Sequence, residues 1–481
     1  MLDRLLLGLA TLFMRPHRIP KLSVMIKPAT LLKFHKTLAD GKYRRIFSSS
    51  GRLRKSGPKG PSAGLIAGIA LVLSLHPGSF ACAAPDEHKL GKDAGYPVGT
   101  AERKSWLDNE AMRVGSFSHH EQIKGLYNGH AKVLARSGKP MPLAFAARPP
   151  DYRWSIDQSR GLGVDDFLAR QRIMGLLIIK DGVVQLERYQ YERKPTHRFT
   201  SHSMAKSVTA LGIGIALGEG KIKSLDDRAD RYAPKLGGTL LGGTTIRSLL
   251  RMASGARIEQ TYDSSGDSGR FDAATAKEGI EAAARVITVR AAEPGTRFNY
   301  ASAQTAILGA VLRGATGMSL SDYLTPRLWQ AIGADETAYW RAERTGLEVA
   351  YGNFSATLRD YARLGVVIAN DGVRPDDPAK TQIIPLEYLL DATDWKRGPD
   401  AFRPGKATAY FGYGYQFWLF PGERRRFVML GVYGQSIFID PALRLVIVQT
   451  AVNEKAEAGQ TTLARERLAF WQGVVRHYGK W

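Results

Sequence analysis

A Ser-x-x-Lys tetrad, Ser203 to Lys206, opens a segment in which apolar residues recur with helical spacing. Residues three apart on a helix share one face, so the Ser203 hydroxyl and the Lys206 amine can touch. A serine hydroxyl becomes a good nucleophile when a neighbouring base takes its proton, and a lysine can be that base where burial lowers its pKa. The tetrad therefore predicts a Ser-Lys nucleophile, against the alternative that Ser203 only caps a helix.

The positive charge of the chain is concentrated at its N-terminus. Residues 1–60 hold 14 Lys and Arg against 2 Asp, so 12 of the 23 net positive charges lie there. The remaining charge is spread over the chain without a basic run or an arginine–aromatic repeat, which argues against nucleic-acid binding. With 481 residues, the chain is predicted to form a large globular body behind a basic leader.

An export signal accounts for this leader. Residues 52–59 form a basic stretch, and Leu65–Leu75 is an uncharged apolar run too short to span a bilayer comfortably. An Ala-x-Ala cleavage pattern, residues 81–83, follows. We therefore predict a signal peptide over residues 61–84 and a periplasmic or secreted bacterial protein with no stable membrane span after cleavage. An internal start at Met25 would shorten the unusually long basic stretch.

The single cysteine, Cys82, falls at this cleavage site. A lipid anchor there is the alternative, but Ser79 stands where a lipoprotein signal usually has an aliphatic residue. Cleavage after Ala83 leaves a mature chain without cysteine, which excludes disulfides, a catalytic thiol and cysteine-based metal sites.

The rest of the chain divides into an extension and one large domain. Residues 85–150 are rich in Gly, Pro, Ala and charge, and we predict a loosely structured N-terminal extension with one helix over 121–136. From residue 151 the pattern tightens into a domain that runs to 481. Apolar and alternating runs flank Asp181-Gly182, which predicts a β-hairpin just before the tetrad.

Helical patterns fill the middle of this domain, and strand-like sequence returns near its end. The predicted helices cover 245–252, 302–316, 355–370 and 461–478, and the late strands cover 427–430, 436–439 and 443–452. Strands at both ends with helices between them predict an α+β fold, with a helical lobe over about 226–399 inserted into a sheet built from distant segments.

Four phrases occur in order along this domain: Ser203–Ser207, Ile246–Gly255, Pro294–Ser302 and Gly431–Ser436. Together they resemble the serine β-lactamase/penicillin-binding-protein superfamily. The closer likeness is to its class C-like branch of esterases, D-aminopeptidases and 6-aminohexanoate-dimer hydrolases. The resemblance covers roughly residues 165–480 and implies a β-lactamase/transpeptidase-like fold, a mainly antiparallel sheet flanked by helices.

The resemblance also implies roles for individual residues. Ser203 would be the acylated nucleophile, Lys206 its proton acceptor, and Tyr300 the group that relays a proton to the leaving group. An amide nitrogen leaves only once it is protonated, so the chemistry needs such a group. The backbone N–H groups of Ser203 and Val432 would form the oxyanion hole.

Two positions depart from the penicillin-recognising pattern. Met429-Leu430-Gly431 stands where those relatives carry Lys-Thr-Gly or His-Thr-Gly, so the cation that anchors a substrate carboxylate is missing. Ser302 stands where class C β-lactamases carry Asn. Esterases and amide-oligomer hydrolases of the family share both departures, which weakens the expectation of β-lactam recognition.

The wider substrate site is predicted from polar and aromatic residues near these phrases. The candidate substrate-binding residues are Ser302, Asn353, Ser355 and Gln435. The residues of a candidate aromatic cleft, which can equally be core, are Tyr262, Tyr410, Tyr413, Tyr415 and Trp418. His197 and His202 flank the nucleophile and are expected to be structural, because Lys206 is available as the base. No pattern predicts a metal or another cofactor.

The sequence thus predicts an exported serine hydrolase that cleaves an amide or ester bond of a small molecule through a Ser203 acyl-enzyme. A D-alanyl-D-alanine carboxypeptidase or β-lactamase is one open alternative. A catalytically silent relative that binds cell wall or another ligand is the other.

Overall fold

The computed structural model describes residues 87–126, 131–261, 266–456 and 461–481, which belong to one structural unit. The predicted leader (1–60) and signal peptide (61–84), with Cys82, lie outside the described residues, as does Tyr262.

Fourteen strands are formed by the described residues. In chain order they are β1 (Ala131–Leu134), β2 (Ala144–Phe145), β3 (Trp154–Ile156), β4 (Ser159–Leu162), β5 (Ile173–Lys180), β6 (Val183–Tyr189), β7 (Arg198–Thr200), β8 (Ala338–Arg341), β9 (Phe354–Thr357), β10 (Gly412–Tyr413), β11 (Trp418–Leu419), β12 (Phe427–Gly431), β13 (Gln435–Asp440) and β14 (Leu445–Ala451).

The α-helices of the described residues range from one turn to nearly five. They are α1 (Ser105–Asp108), α2 (Glu110–Ser118), α3 (Val164–Arg170), α4 (Ala205–Gly218), α5 (Ile246–Leu250), α6 (Gly266–Glu278), α7 (Ile280–Ala283), α8 (Ser302–Thr316), α9 (Leu320–Leu324), α10 (Leu358–Ala369), α11 (Leu386–Thr393) and α12 (Thr462–Tyr478). None of the described helices is both long and apolar enough to cross a membrane.

The main sheet has eight strands in the order β10-β11-β12-β13-β14-β5-β6-β2, and only the β2–β6 pair is parallel. The predicted hairpin is β5 and β6, joined at Asp181-Gly182, where both residues have positive φ as a tight hairpin turn requires. Along β5, alternate side chains enter two different cores: Leu177 packs in the core on the α4 side, whereas Leu176 packs with the residues of α12. The sheet is therefore covered by helices on both faces, in agreement with the predicted α+β fold.

After β7 the chain enters α4, which is buried along most of its length. Its glycines allow this burial: a Cβ on Gly214 would lie 2.3 Å from the Tyr388 ring. The lobe predicted over 226–399 contains most of the helices, but it also contains β8 and β9, which the sequence analysis did not predict. They form a second sheet in the order β1-β8-β9-β7, and its edge strand β7 ends at Thr200, three residues before Ser203. The domain boundaries remain predictions.

The helix predicted over 121–136 is wrong. Residues 131–134 form β1, which pairs with β8, and the helix of this region is α2, at 110–118. The Asn109 side chain caps α2 by accepting from the Ala111 N–H at 3.1 Å. Val114 and Phe117 of this helix are fully buried, so the described part of the extension is packed into the core rather than loosely structured.

Candidate active site

The tetrad lies at the junction of a short turn, His202–Met204, and α4. Lys206 is the second residue of the helix, and its Nζ lies 2.9 Å from Ser203 Oγ, within hydrogen-bonding distance. The same ammonium donates to the Tyr351 carbonyl at 2.9 Å. The local geometry that the i, i+3 spacing predicts is therefore formed, and the Lys206 side chain is 2% exposed.

Burial gives Lys206 the electrostatics of a base. Removal of its ammonium from water lowers its pKa to about 7, and the negative charge of Asp272 opposes this shift. The Tyr351 hydroxyl donates to Asp272 Oδ1 at 2.8 Å, which links this carboxylate to the residue whose carbonyl binds Lys206. A large fraction of Lys206 is therefore neutral near pH 7 and able to accept a proton.

Tyr300 also lies close to the Lys206 amine. Lys206 Nζ is 5.2 Å from the centroid of the Tyr300 ring, and this ring stacks on Trp418 at 5.3 Å. The edge of Tyr413 completes the contact at 6.2 Å. Two aromatic neighbours from β10 and β11 thus fix the orientation of the ring that the resemblance assigns to proton relay.

A cavity of about 550 Å³ opens in front of Ser203. Ser203 and Tyr300 line it, together with Gly431 and Val432. Its walls are mainly aromatic and aliphatic side chains: Tyr410, Phe411, Trp418, Leu430, Leu468 and Trp471. The nucleophile therefore faces a space large enough for a small organic substrate.

The end of β12 brings the second predicted oxyanion donor beside the nucleophile. Gly431 lies so close to the backbone before Ser203 that a Cβ there would be 2.4 Å from the Ser201 carbonyl oxygen. Because only glycine allows this approach, β12 can end at the cavity and leave Val432 on its lining with Ser203. The two backbone groups of the predicted oxyanion hole are brought together at one site.

The four predicted substrate-binding residues do not line this cavity. Gln435 is fully buried, and its Nε2 donates to the Val432, Tyr433 and Ala451 carbonyls at 3.2, 3.2 and 2.7 Å, so it supports the turn after β12 from behind. Ser355 is fully buried in β9.

The other two predicted residues are also displaced from the lining. Asn353 precedes β9 with a φ of 58°, and its carbonyl accepts from the Arg341 N–H. Ser302 is half-buried at the start of α8, where its N–H donates to Gln260 Oε1 at 2.7 Å. Gln260 itself lines the cavity, although no motif of the sequence distinguished it.

The predicted aromatic cleft is formed in part. Tyr410 and Trp418 line the cavity. Tyr413 does not line it but packs against the ring of Tyr300, which does. Tyr415 is a core residue: it is fully buried against Tyr388, and its hydroxyl accepts from Arg247 Nη1 at 2.7 Å.

Neither flanking histidine faces the cavity. His197 packs edge-on against His119 at 4.8 Å, away from the nucleophile. His202 is 7% exposed, and burial, reinforced by the charge of Lys206, lowers its pKa to about 3. Both therefore fit the structural role that the sequence predicts. Among the described residues, no three His, Cys, Asp or Glu side chains are grouped as a metal site.

Comparison with known proteins identifies the family and the fold of the chain. The profile of the β-lactamase family matches residues 164–469. A 6-aminohexanoate-dimer hydrolase of Paenarthrobacter ureafaciens is 26% identical over 331 residues, which cover 66% of this chain and 84% of that protein. A solved Bacillus anthracis structure, provisionally named a 6-aminohexanoate-dimer hydrolase, has the same fold, with a TM-score of 0.67 at 21% identity over 79% of this chain and 98% of that chain. The family profile matches more than half of the chain, so the chain belongs to the β-lactamase family. This family is part of the serine hydrolase superfamily that also contains esterases and amidases.

Proposed function

We propose that the protein is an exported serine hydrolase that cleaves an ester or amide bond through an acyl-enzyme on Ser203. The observation that carries this proposal is the contact of 2.9 Å between Ser203 Oγ and the buried Nζ of Lys206. A lysine whose pKa is lowered to about 7 can take the serine proton at neutral pH.

Acylation follows from this arrangement. Neutral Lys206 accepts the Ser203 proton while Oγ attacks the substrate carbonyl carbon. The carbonyl oxygen becomes an oxyanion, which receives hydrogen bonds from the N–H groups of Ser203 and Val432. Tyr300 then passes a proton to the leaving oxygen or nitrogen and recovers one from Lys206. The bond to the leaving group breaks, and the acyl group remains on Ser203.

Deacylation reverses these roles. A water molecule attacks the acyl carbon and gives its proton to the Lys206–Tyr300 pair. The second oxyanion forms at the same two N–H groups. As it collapses, the bond between the acyl carbon and Ser203 Oγ breaks, the Lys206–Tyr300 pair returns the proton to Oγ, and the acid leaves. The same groups therefore serve both half-reactions, and no cofactor is required.

The cavity walls support a largely apolar substrate. Most of the lining is aromatic or aliphatic, which favours apolar parts of a substrate, and Met429 stands where the family's carboxylate-binding cation would be. Two arginines of α12 also line the cavity, but each has a neighbour: Arg465 donates to Asp157 Oδ1 at 2.5 Å, and Arg467 lies 5.4 Å from the Trp471 ring centroid. Similarity to a 6-aminohexanoate-dimer hydrolase supports linear amides, besides esters, as substrates.

Labelling with a fluorophosphonate probe tests the proposal. The wild type should be labelled and the Ser203→Ala variant should not, and the wild type should release nitrophenol from p-nitrophenyl esters. A panel of esters, short amide oligomers and D-amino-acid amides would then identify the substrate class. A wild type that is not labelled, or a label that survives Ser203→Ala, would favour a catalytically silent relative instead.

Two further measurements separate the remaining parts of the proposal. Labelling by a fluorescent penicillin together with hydrolysis of nitrocefin would favour a carboxypeptidase or β-lactamase. N-terminal sequencing of the exported protein should give a start near Ala84, and an intact N-terminus in the cytoplasm would contradict export.

A further inference from the structure

The segment that precedes the family-matched region lies against the back of the active site. The family profile begins at residue 164, whereas α1 and α2 end at Ser118. Nevertheless, Phe117 of α2 is fully buried against residues that adjoin both predicted oxyanion donors. Its ring lies 4.6 Å from that of His202, which precedes Ser203, and 5.4 Å from that of Tyr433, which follows Val432.

His202 and Tyr433 both have strained backbone conformations. Their φ angles are 42° and 61°, in the left-handed region that residues with a Cβ rarely adopt. Such conformations persist only where the surroundings hold them. The two rings also contact each other at 5.6 Å, so Phe117 closes a triangle of aromatic side chains beneath the two donors.

Arg113, one turn before Phe117 on α2, secures the Tyr433 side of this triangle. Its guanidinium lies 4.8 Å from the centroid of the Tyr433 ring. Its Nη1 donates to the Asn453 and Glu454 carbonyls at 3.1 and 2.6 Å. The Asn453 N–H donates in turn to the Tyr433 carbonyl at 3.2 Å. One buried side chain thus holds Tyr433 by its ring and, through Asn453, by its backbone.

Trp106 of α1 covers the His202 side. Its indole ring lies parallel to the His202 ring at 6.5 Å and packs against Phe117 at 6.3 Å. The residue before Ser203 and the residue after Val432 are therefore both packed against side chains that α1 and α2 supply.

We propose that α1 and α2 form a positioning element of the active site, in which Phe117 and Arg113 hold His202 and Tyr433 so that the Ser203 and Val432 N–H groups point into the cavity. This inference rests on the proposed function, because it concerns the oxyanion hole of that mechanism. Neither side chain touches substrate, so each acts through the backbone it supports.

Steady-state kinetics of Phe117→Leu and Arg113→Met in the full chain test this role, with a p-nitrophenyl ester as substrate. Loss of one oxyanion donor costs about 10²–10³-fold in kcat, so a misdirected donor should cost about 10- to 100-fold. KM should stay within about twofold, because ground-state binding does not use the oxyanion hole. The pH profile should keep its midpoint, since neither residue contacts Lys206. Arg113→Lys, which keeps the charge over Tyr433, should recover part of the lost kcat.

Phe167→Leu is the matched control. Phe167 is also fully buried, but its ring contacts are with Trp154 and Phe470, neither of which lines the cavity. It should lower the melting temperature by a similar amount and leave kcat unchanged. Folded Phe117→Leu and Arg113→Met proteins with wild-type kcat would overturn the proposal, as would an equal loss of kcat in Phe167→Leu. If Phe117→Leu does not fold, Arg113→Met alone decides.

Failure of the proposed function gives a different result. In that case the wild type itself would neither turn over esters nor take a fluorophosphonate label, and the positioning role would fall with it. If the wild type is active and the α2 variants keep the wild-type kcat, only the positioning role is overturned.

Discussion

Two groups of aromatic side chains lie near Ser203, and they differ in whether they border the cavity. Behind the nucleophile, Phe117, His202 and Tyr433 are packed ring against ring and are almost inaccessible to water. In front, Tyr300 and Trp418 are also stacked, but one face of the pair borders a cavity of about 550 Å³. The same residue types therefore serve a rigid support on one side and a substrate wall on the other.

The difference arises from the elements that carry the rings. The rear group joins α2 to two turns whose backbones have positive φ, so its packing energy is available to hold strained conformations. The front group joins Tyr300, two residues before α8, to Trp418 of β11, and both residues line the cavity. Apart from Tyr300, whose proposed role is proton relay, residues in front should therefore control which substrate binds, and residues behind should control how fast it reacts.

The largest effect is expected at Lys206, which lies between the two sides. Lys206→Ala removes the base, and because nucleophile and base act as a unit the loss in kcat should be about 10⁴-fold or more. Ester hydrolysis monitored with p-nitrophenyl butyrate measures it. Lys221→Ala, an exposed lysine just beyond the same helix, is the control and should have wild-type activity. Near-wild-type turnover of Lys206→Ala would exclude lysine as the base.

Tyr300→Phe should separate proton relay from substrate packing on the front side. The phenyl ring keeps the stack on Trp418 but cannot give a proton, and proton transfer of this kind contributes about 10²–10⁴-fold. Amides should lose this full factor, because their nitrogen must be protonated to leave. A p-nitrophenyl ester should lose much less, since nitrophenolate leaves without a proton. Equal losses on both substrates would show that Tyr300 only shapes the cavity.

The pH dependence should report the burial of Lys206. The neutral amine is the active form and its pKa lies at about 7, so kcat/KM should fall about tenfold for each pH unit below that value and level off above it. Asp272 opposes the shift, so Asp272→Asn should move the midpoint to lower pH. A rate that depends on no group titrating between pH 6 and 8 would contradict this assignment.

The smallest effect is expected in the cavity wall. In the wild type, each methylene added to the acyl chain of a p-nitrophenyl ester should raise kcat/KM by up to about fourfold, because burial of one CH₂ is worth about 0.8 kcal/mol. Leu468→Trp reduces the space and should remove this gain for the longer chains only. Leu386→Trp, at an exposed position outside the cavity, is the control and should leave the profile unchanged. A flat profile in the wild type would show that the apolar wall does not bind the acyl group.

Local spacing made the centre of the site predictable. The contact between Ser203 and Lys206 follows from the i, i+3 spacing across the turn that leads into α4, and the hairpin at Asp181-Gly182 follows from its turn residues. The alternating and apolar runs also predicted the late strands, β12 to β14, to within a few residues. These features depend on neighbours in the sequence.

The parts that the sequence analysis missed depend on register and on contacts between distant segments. Gln435 was predicted to bind substrate, but its side chain donates to three backbone carbonyls, which the pairing of β13 with β12 and β14 brings within reach. Leu468 lines the cavity, but in the sequence it is only one residue of the apolar stripe of α12. Such a stripe looks the same whether that face of the helix packs on a sheet or borders a cavity. The burial of Phe117 against His202 joins residues 85 positions apart, which periodicity cannot show.

The most direct test of the account is the mass of the protein during turnover. The enzyme is mixed with a p-nitrophenyl ester, quenched in acid within milliseconds to seconds, and analysed by intact-mass and peptide mass spectrometry. The account predicts a transient gain equal to the acyl group, located on the peptide that contains Ser203, with a burst of nitrophenol of the same amount. A burst of nitrophenol without any acylated protein would contradict the acyl-enzyme mechanism. So would an acyl group that still forms on the Ser203→Ala variant.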